Sequence, residues 1–224
     1  MSPDLVTLDD PRSPQAEAFR SLRTNLSFAR PDQPLRALLI AAPALAADAS
    51  AVVANLAVVC AQAGQRVLAV DCDLRRPALH HHFGLPNDQG VTSALVDDGA
   101  MGAPPLQATG VAGLSVLTSG PVPPNPAELL ASKRMEQLIA HLADGADLVL
   151  YSAPPIVPVT DAAALAPRLD GVLLVLTAGR SRRDQTQRAR QLLDKVGAEV
   201  IGVVLTEVAA RNTTYSTYGA EIPR

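Results

Sequence analysis

Residues 35–60 constrain the fold most, because an apolar strand, a turn and an apolar helix follow one another there. The strand is predicted at residues 38–42, and the helix opens near Ser50 and ends at Gly64. In α/β proteins, a strand that leads through a turn into a helix is where a phosphate-binding loop lies. Such a loop needs glycines and a lysine, yet this turn has neither, and Gly64 is the first glycine of the chain. The stretch therefore keeps an architecture but lacks its chemistry.

The rest of the chain alternates strands with helices. Further apolar strands are predicted in the segments RVLAVDCD, LSVLT, ADLVLYSA, GVLLVLTA and VIGVVLTEV. Further helices are predicted at residues 14–29, 127–142, 161–165 and 182–196. This alternation predicts an α/β fold with a doubly wound, mostly parallel sheet flanked by helices. Residues 1–10 and 87–113 are expected to be a loose lead-in and a loop-rich connection with one helical turn near residues 92–96.

We expect one domain over residues 1–224, divided into an N-terminal segment (1–34), an α/β core (35–208) and a mobile tail (209–224). Of the 224 residues, 48% are hydrophobic and 18% charged, which argues against global disorder. The net charge of −3 argues against binding nucleic acid. Cys60 and Cys72 lie in apolar segments and are expected to be reduced, as in a cytosolic protein. The sequence shows no leader pattern and no run long enough for a membrane span, so we expect no direct membrane insertion.

Asp71 and Asp73 alternate with Cys72 at the end of a predicted strand, so both carboxylates leave the same face. Ligands bind at this edge of open α/β sheets. The alternative is a strand-end turn with two solvated acids. The histidine run at residues 80–82 is expected at the surface, because adjacent histidines point in different directions.

Glu17, Arg20 and Arg23 recur every three residues on the first predicted helix, which Ser13 and Pro14 start well. They form either a solvated face with weak ion pairs or an intersubunit ion-pair motif. Their spacing alone favours the solvated face.

Four segments together resemble the bacterial tyrosine kinases of capsule and exopolysaccharide synthesis, within the P-loop ATPase class of ParA and MinD. They are SPQAEAFRSLRTNLSFA, VLAVDCDLRRP, SGPVPPNPAELL and DGVLLVLTAGRSRRD. The resemblance covers nearly the whole chain. It implies that Asp71 and Asp73 are the acids of the Walker A′ motif. It also implies that Glu17, Arg20 and Arg23 form the family's ExxRxxR motif, which drives ring assembly, so the intersubunit interpretation is now favoured.

The phosphate-binding loop departs from the family pattern. The family's Gly-Lys-Ser aligns with Asp48, Ala49 and Ser50 of this chain. Of the three residues only the serine, whose hydroxyl lies on the magnesium side in the family, is retained as Ser50. Several loop positions need a positive φ, which costs an alanine such as Ala46 or Ala47 about 1–2 kcal/mol. The Asp48 carboxylate would also repel a phosphate, by roughly 1 kcal/mol in water and about 4 kcal/mol in a cleft at about 4 Å. We predict instead that Asp48 caps the helix.

Ser152 stands where the family has the Walker B aspartate, and a hydroxyl cannot supply that negative charge. These losses predict a catalytically inactive, kinase-like scaffold with no bound cofactor and no metal. The alternative is an active tyrosine kinase that binds ATP and Mg²⁺ weakly through Asp71, Asp73 and Ser50. A positioning or partitioning ATPase is disfavoured by the ExxRxxR helix and the altered loop.

The tail holds Tyr215 and Tyr218, a sparse form of the family's tyrosine cluster. They are either substrates of an active kinase acting in trans or part of a plain polar tail. The resemblance also implies a partner, a membrane-anchored regulator of polysaccharide chain length. We therefore expect a cytoplasmic protein recruited to the inner face of the membrane, in a homo-oligomer or in a mixed ring with an active kinase.

Overall fold

A computed structural model describes residues 5–30 and 33–209. This part of the chain contains seven strands: β1 (Ala37–Ala41), β2 (Val67–Asp71), β3 (Gln107–Ala108), β4 (Leu114–Leu117), β5 (Leu148–Ser152), β6 (Gly171–Thr177) and β7 (Val200–Thr206). It also contains ten α-helices: α1 (Val6–Asp9), α2 (Pro14–Ala29), α3 (Ala49–Gln62), α4 (Leu79–Phe83), α5 (Val91–Val96), α6 (Asp98–Gly102), α7 (Pro126–Ala131), α8 (Lys133–Gly145), α9 (Asp161–Leu165) and α10 (Arg183–Lys195). A 3₁₀ turn, Ala166–Arg168, extends α9.

The strands form one sheet in the order β3-β4-β2-β5-β1-β6-β7. Every pairing is parallel except that of the short strand β3 with β4. One hydrophobic core, on the face covered by α2, α3 and α4, includes most of α3. The other core includes residues of α5, α7, α8, α9 and α10. The predicted doubly wound, mostly parallel α/β sheet is therefore confirmed.

Helix α3 lies at the centre of the first core. Its sequence is apolar on nearly all sides, and all residues from Val52 to Ala61 are buried. It packs against the sheet on one side and against α1, α2 and α4 on the others. Helix α2 begins as predicted, because the Ser13 side chain accepts a hydrogen bond from the Ala16 amide and Pro14 occupies the first helical position.

The expected loose lead-in is wrong for its described part, because residues 6–9 form α1. Thr7 is fully buried and donates two hydrogen bonds to the Asn55 Oδ1 atom, one from its amide (3.1 Å) and one from its hydroxyl (2.9 Å). A buried side-chain amide on α3 therefore holds the N-terminal segment in place, a tertiary contact that the local sequence does not show.

The single helix predicted at residues 127–142 is also wrong, because Ser132 divides it into α7 and α8. Ser132 has extended backbone angles (φ −72°, ψ 160°), and its hydroxyl accepts a hydrogen bond from the Met135 amide at 3.2 Å. The serine thus caps a second helix rather than continuing the first. The connection at residues 87–113 has the predicted turn as α5, but also α6 and β3.

Both cysteines are buried and free, as predicted. Within residues 5–30 and 33–209, no helix combines the length and the apolar character required to cross a bilayer.

Candidate functional site

A cleft of about 370 Å³ lies at the carboxyl ends of β1, β2 and β5. This edge of an open parallel sheet is where α/β proteins bind ligands. Its lining includes alanines of the β1–α3 loop, the side chains of Asp71 and Asp73 after β2, and Ser152 at the end of β5. The structure therefore brings Ser50, Asp71, Asp73 and Ser152 together in one cleft.

The β1–α3 loop lacks the positive φ angles that several positions of a phosphate-binding loop need. Among the described residues, Glu207 is the only non-glycine residue with a positive φ, so Ala46 and Ala47 have ordinary negative values. Asp48 precedes α3, and its Oδ1 atom accepts a hydrogen bond from the Ala51 amide at 3.1 Å. The prediction that Asp48 caps α3 is confirmed. Its carboxylate faces the positive end of the helix, where a phosphate would otherwise lie.

The hydroxyl of Ser50 is engaged on two sides. It donates to Asp48 Oδ1 at 2.7 Å and lies 2.9 Å from His82 Nε2. A donor nitrogen on His82 would complete a chain of hydrogen bonds from His82 through Ser50 to Asp48. The expected surface position of the histidine run is wrong for His82, which is only 5% exposed. Helix α4 places this ring against the start of α3, and sequence spacing gives no signal of that contact.

Asp71 is fully buried at the end of β2 and accepts four hydrogen bonds. Its Oδ2 atom accepts from the amides of Ala78 (3.0 Å) and Leu79 (2.9 Å), where α4 begins. Its Oδ1 atom accepts from the Asp73 amide (3.1 Å) and the Ser152 hydroxyl (2.9 Å). Burial raises the pKa of Asp71, although these hydrogen bonds oppose the shift. The carboxylate is thus built into the turn between β2 and α4.

Ser152 is paired with Asp71 in the register of β2 and β5, which explains their contact. An aspartate at this position would set a second carboxylate against a buried one. Asp73 lies just beyond the strand and is partly buried. Its Oδ1 atom accepts from the amides of Arg75 (3.2 Å) and Arg76 (2.9 Å). Burial, with a further contribution from Asp71, raises the pKa of Asp73.

Two ion pairs beside the cleft were not anticipated from the sequence. Arg75 binds the buried Asp161 with two nitrogens, at 3.0 and 3.1 Å, and so ties the β2–α4 turn to α9. Arg180 and Glu207 line the cleft and lie 3.3 Å apart, with both side chains exposed. Each pair joins segments far apart in the chain, and opposite charges at such separations carry no sequence signal.

On α2, the predicted assembly residues make contacts within the chain. Arg20 forms an ion pair with Glu17 at 2.8 Å and donates to the Pro11 carbonyl. Arg23 donates to the Val59 carbonyl at 3.4 Å. Both side chains of the Glu17–Arg20 pair remain partly exposed, at 51% and 33%. A role in assembly stays a prediction.

Tyr215, Tyr218 and nearly all of the predicted tail lie outside the described residues. In the described part of the chain, no three or more His, Cys, Asp or Glu residues are grouped so that they could hold a metal ion.

The fold is that of a class of nucleotide-binding domains. The family model of the CobQ/CobB/MinD/ParA nucleotide binding domain matches residues 50–220, beginning at the second residue of α3. The chain is 36% identical to "Tyrosine-protein kinase YwqD" of Bacillus subtilis over 222 residues, which cover 99% of this chain and 93% of that protein. It is 35% identical to "Putative tyrosine-protein kinase CapB" of Staphylococcus aureus, covering 97% of this chain and 95% of that protein.

Solved structures give the same result. The kinase domain of Escherichia coli tyrosine kinase ETK superposes with a TM-score of 0.86 at 33% identity, covering 94% of this chain and 82% of that chain. The chain therefore belongs to the bacterial tyrosine kinase family.

Proposed function

We propose that this protein is a catalytically inactive member of its family, a scaffold or regulator of capsule or exopolysaccharide synthesis and export. The observation that carries the proposal is that Asp48, Ser50 and Asp71 all make hydrogen bonds within the chain at the positions where a nucleotide site would need them. Asp48 caps α3, Ser50 binds Asp48 and contacts His82, and Asp71 accepts four hydrogen bonds.

Nucleotide binding would have to displace the Asp48 carboxylate from the start of α3. A phosphate at the start of α3 would meet the carboxylate of Asp48 where the family has a glycine, and no lysine where Ala49 stands. The repulsion amounts to about 1–4 kcal/mol for one close pair, depending on how far water screens the cleft. This site lacks both the lysine that would attract the phosphates and the Walker B acid that would help to hold the metal. Few attractive interactions therefore remain to offset the repulsion from Asp48. We therefore propose that the protein works without a cofactor.

The alternative is an active tyrosine kinase with a divergent nucleotide site. Two observations favour it: a cleft of about 370 Å³ is present beside the start of α3, and the carboxylates of Asp71 and Asp73, both with raised pKa values, line it. Closely spaced carboxylates of this kind also occur where proteins hold Mg²⁺. In this case ATP and Mg²⁺ would bind through Asp71, Asp73 and Ser50.

Calorimetric titration with Mg-ATP and Mg-ADP separates the two proposals. An inactive scaffold gives no saturable heat, and a kinase assay with the protein as its own substrate gives no phosphotyrosine. The alternative predicts saturable, weak binding that weakens further when Ser50→Ala removes the hydroxyl or Asp73→Asn removes the charge. Binding with that dependence would refute the inactive scaffold.

We also propose that the protein works through partners. The family resemblance supports a membrane-anchored regulator of chain length, which would recruit a cytoplasmic protein to the inner face of the membrane. The net charge of −3 argues against a role in nucleic-acid binding. Glu17, Arg20 and Arg23 would contribute to a homo-oligomer or to a mixed ring with an active kinase, which could phosphorylate Tyr215 and Tyr218.

Sedimentation velocity tests the assembly role of α2. The double variant Arg20→Ala, Arg23→Ala should lose any species larger than a dimer. Arg190→Ala is the matched control, because Arg190 is an exposed arginine in an ordinary i,i+4 ion pair on α10. An unchanged distribution of species in the double variant would exclude α2 from assembly.

A further inference from the structure

The two edges of the sheet differ in how they are protected. Strand β3 closes one edge with only two residues, Gln107 and Ala108, and short edge strands resist pairing with other chains. Strand β7 forms the other edge with seven residues, VIGVVLT. It contains no charged residue and no proline, which are the usual devices that prevent edge-to-edge pairing.

The backbone of β7 presents hydrogen-bonding groups to its outer side. The Thr206 carbonyl accepts from the Ala178 amide, so Thr206 faces inward, towards the end of β6. Successive residues of a strand direct their amide and carbonyl groups to alternate sides. Val203 and Leu205 therefore direct theirs outward, away from β6.

The side chains of the same two residues are exposed. Val203 and Leu205 are each 54% exposed and lie two positions apart, so they share one face of the sheet. Among residues 5–30 and 33–209, β7 pairs on its inner side with β6 and has no strand on its outer side. An apolar edge of this length is a template for another strand.

We propose that β7 pairs with β7 of a second copy of this chain, in antiparallel orientation about a two-fold axis. Setting Val203 opposite Leu205 of the second copy satisfies the outward backbone groups of both strands. It also buries the exposed apolar side chains against each other in both directions.

The charges at the ends of β7 fit a second copy. One end carries the ion pair of Arg30 with Glu199, and the other carries that of Arg180 with Glu207. Antiparallel pairing brings the first end of one copy beside the second end of the other. Each end holds one arginine and one glutamate, so the contact gathers mixed charges rather than a single sign. This inference does not depend on the proposed function.

Sedimentation equilibrium of the full chain tests the proposal, with Val203→Pro as the main variant. Proline removes an outward amide that makes no bond to β6 and blocks edge pairing, so the monomer should keep its fold. The association of the wild type should include a monomer–dimer step, and Val203→Pro should weaken that step at least tenfold. Leu205→Lys places a charge on the same edge and should have the same effect, which guards against misfolding of the proline variant.

Val122→Lys is the matched control, because Val122 is 63% exposed but lies outside β7, and this variant should dimerise like the wild type. Equal dimerisation of the wild type and both β7 variants would overturn the proposal, as would a wild type that stays monomeric. Amide hydrogen exchange adds a second readout. Protection of Val203 and Leu205 should rise with protein concentration, whereas protection in the isolated monomer would mean that another segment covers the edge.

Discussion

The β1–α3 loop and the β2–α4 turn line the same cleft but differ in what their sequences retain. The β1–α3 loop has lost the glycines and the lysine of a phosphate-binding loop, and Asp48 occupies its last position. The β2–α4 turn keeps both Walker A′ acids, Asp71 and Asp73. In the structure the two segments nevertheless behave alike, because carboxylates in both accept hydrogen bonds from the starts of neighbouring helices.

The comparison gives the retained acid Asp71 a structural role that does not require a nucleotide. Asp71 has this role in the chain because it accepts hydrogen bonds from the amides of Ala78 and Leu79 where α4 begins. The glycines and the lysine of the family's loop serve phosphate binding and have no comparable structural role. Under the proposed loss of nucleotide binding, the first segment was free to change and the second was not.

The largest effect is expected from Asp71→Ala. It leaves three backbone amides and the Ser152 hydroxyl without their acceptor in a buried position. We expect the free energy of unfolding to fall by about 3 kcal/mol or more, measured by urea denaturation. Asp71→Asn retains one acceptor oxygen and should lose less. A loss below about 1 kcal/mol would show that the turn does not depend on this carboxylate.

A smaller effect is expected from Asp48→Ala, which removes the cap of α3. The loss should be about 1 kcal/mol, or roughly 2–4 °C in the melting temperature for a domain of this size. Asp48→Asn is the control, because an amide oxygen can still accept from the Ala51 amide. If alanine and asparagine gave equal stability, the cap would contribute nothing.

The smallest effect is expected from Asp73→Asn, and it has the opposite sign. The raised pKa of Asp73 means that folding favours the protonated carboxyl, so ionisation costs stability as the pH rises from the unfolded pKa through the folded one. Asparagine keeps an acceptor for the amides of Arg75 and Arg76 without the charge. We expect a gain of about 0.5 kcal/mol at pH 7, since Asp73 is only partly buried.

Thermal melts of Asp73→Asn and wild type at pH 7 and pH 3 check this sign. The gain should vanish at pH 3, where Asp73 is largely protonated in both the folded and the unfolded states. A gain of the same size at both values would assign it to packing rather than to charge.

Local patterns were sufficient to predict the sheet and most of the elements around the cleft. The apolar strands alternate with amphipathic or buried helices, which is the pattern of an α/β sheet. The cap formed by Asp48 was predictable because a helix cap involves only the cap residue and the next three residues. The contacts of Thr7 with Asn55 and of His82 with Ser50 join residues 48 and 32 positions apart, so no local pattern reveals them. The division at Ser132 was missed because a serine is compatible with both a helix interior and a helix start.

Backbone amide NMR during titration with Mg-ATP tests the central claim, that the β1–α3 loop and the start of α3 no longer receive phosphates. The resonances to follow are those of residues 46–51. The account predicts that their amide chemical shifts stay unchanged at millimolar nucleotide, because the hydrogen bond between Ser50 and Asp48 is kept. Saturable shifts of these amides at micromolar nucleotide would contradict it, because they would place phosphates at the start of α3.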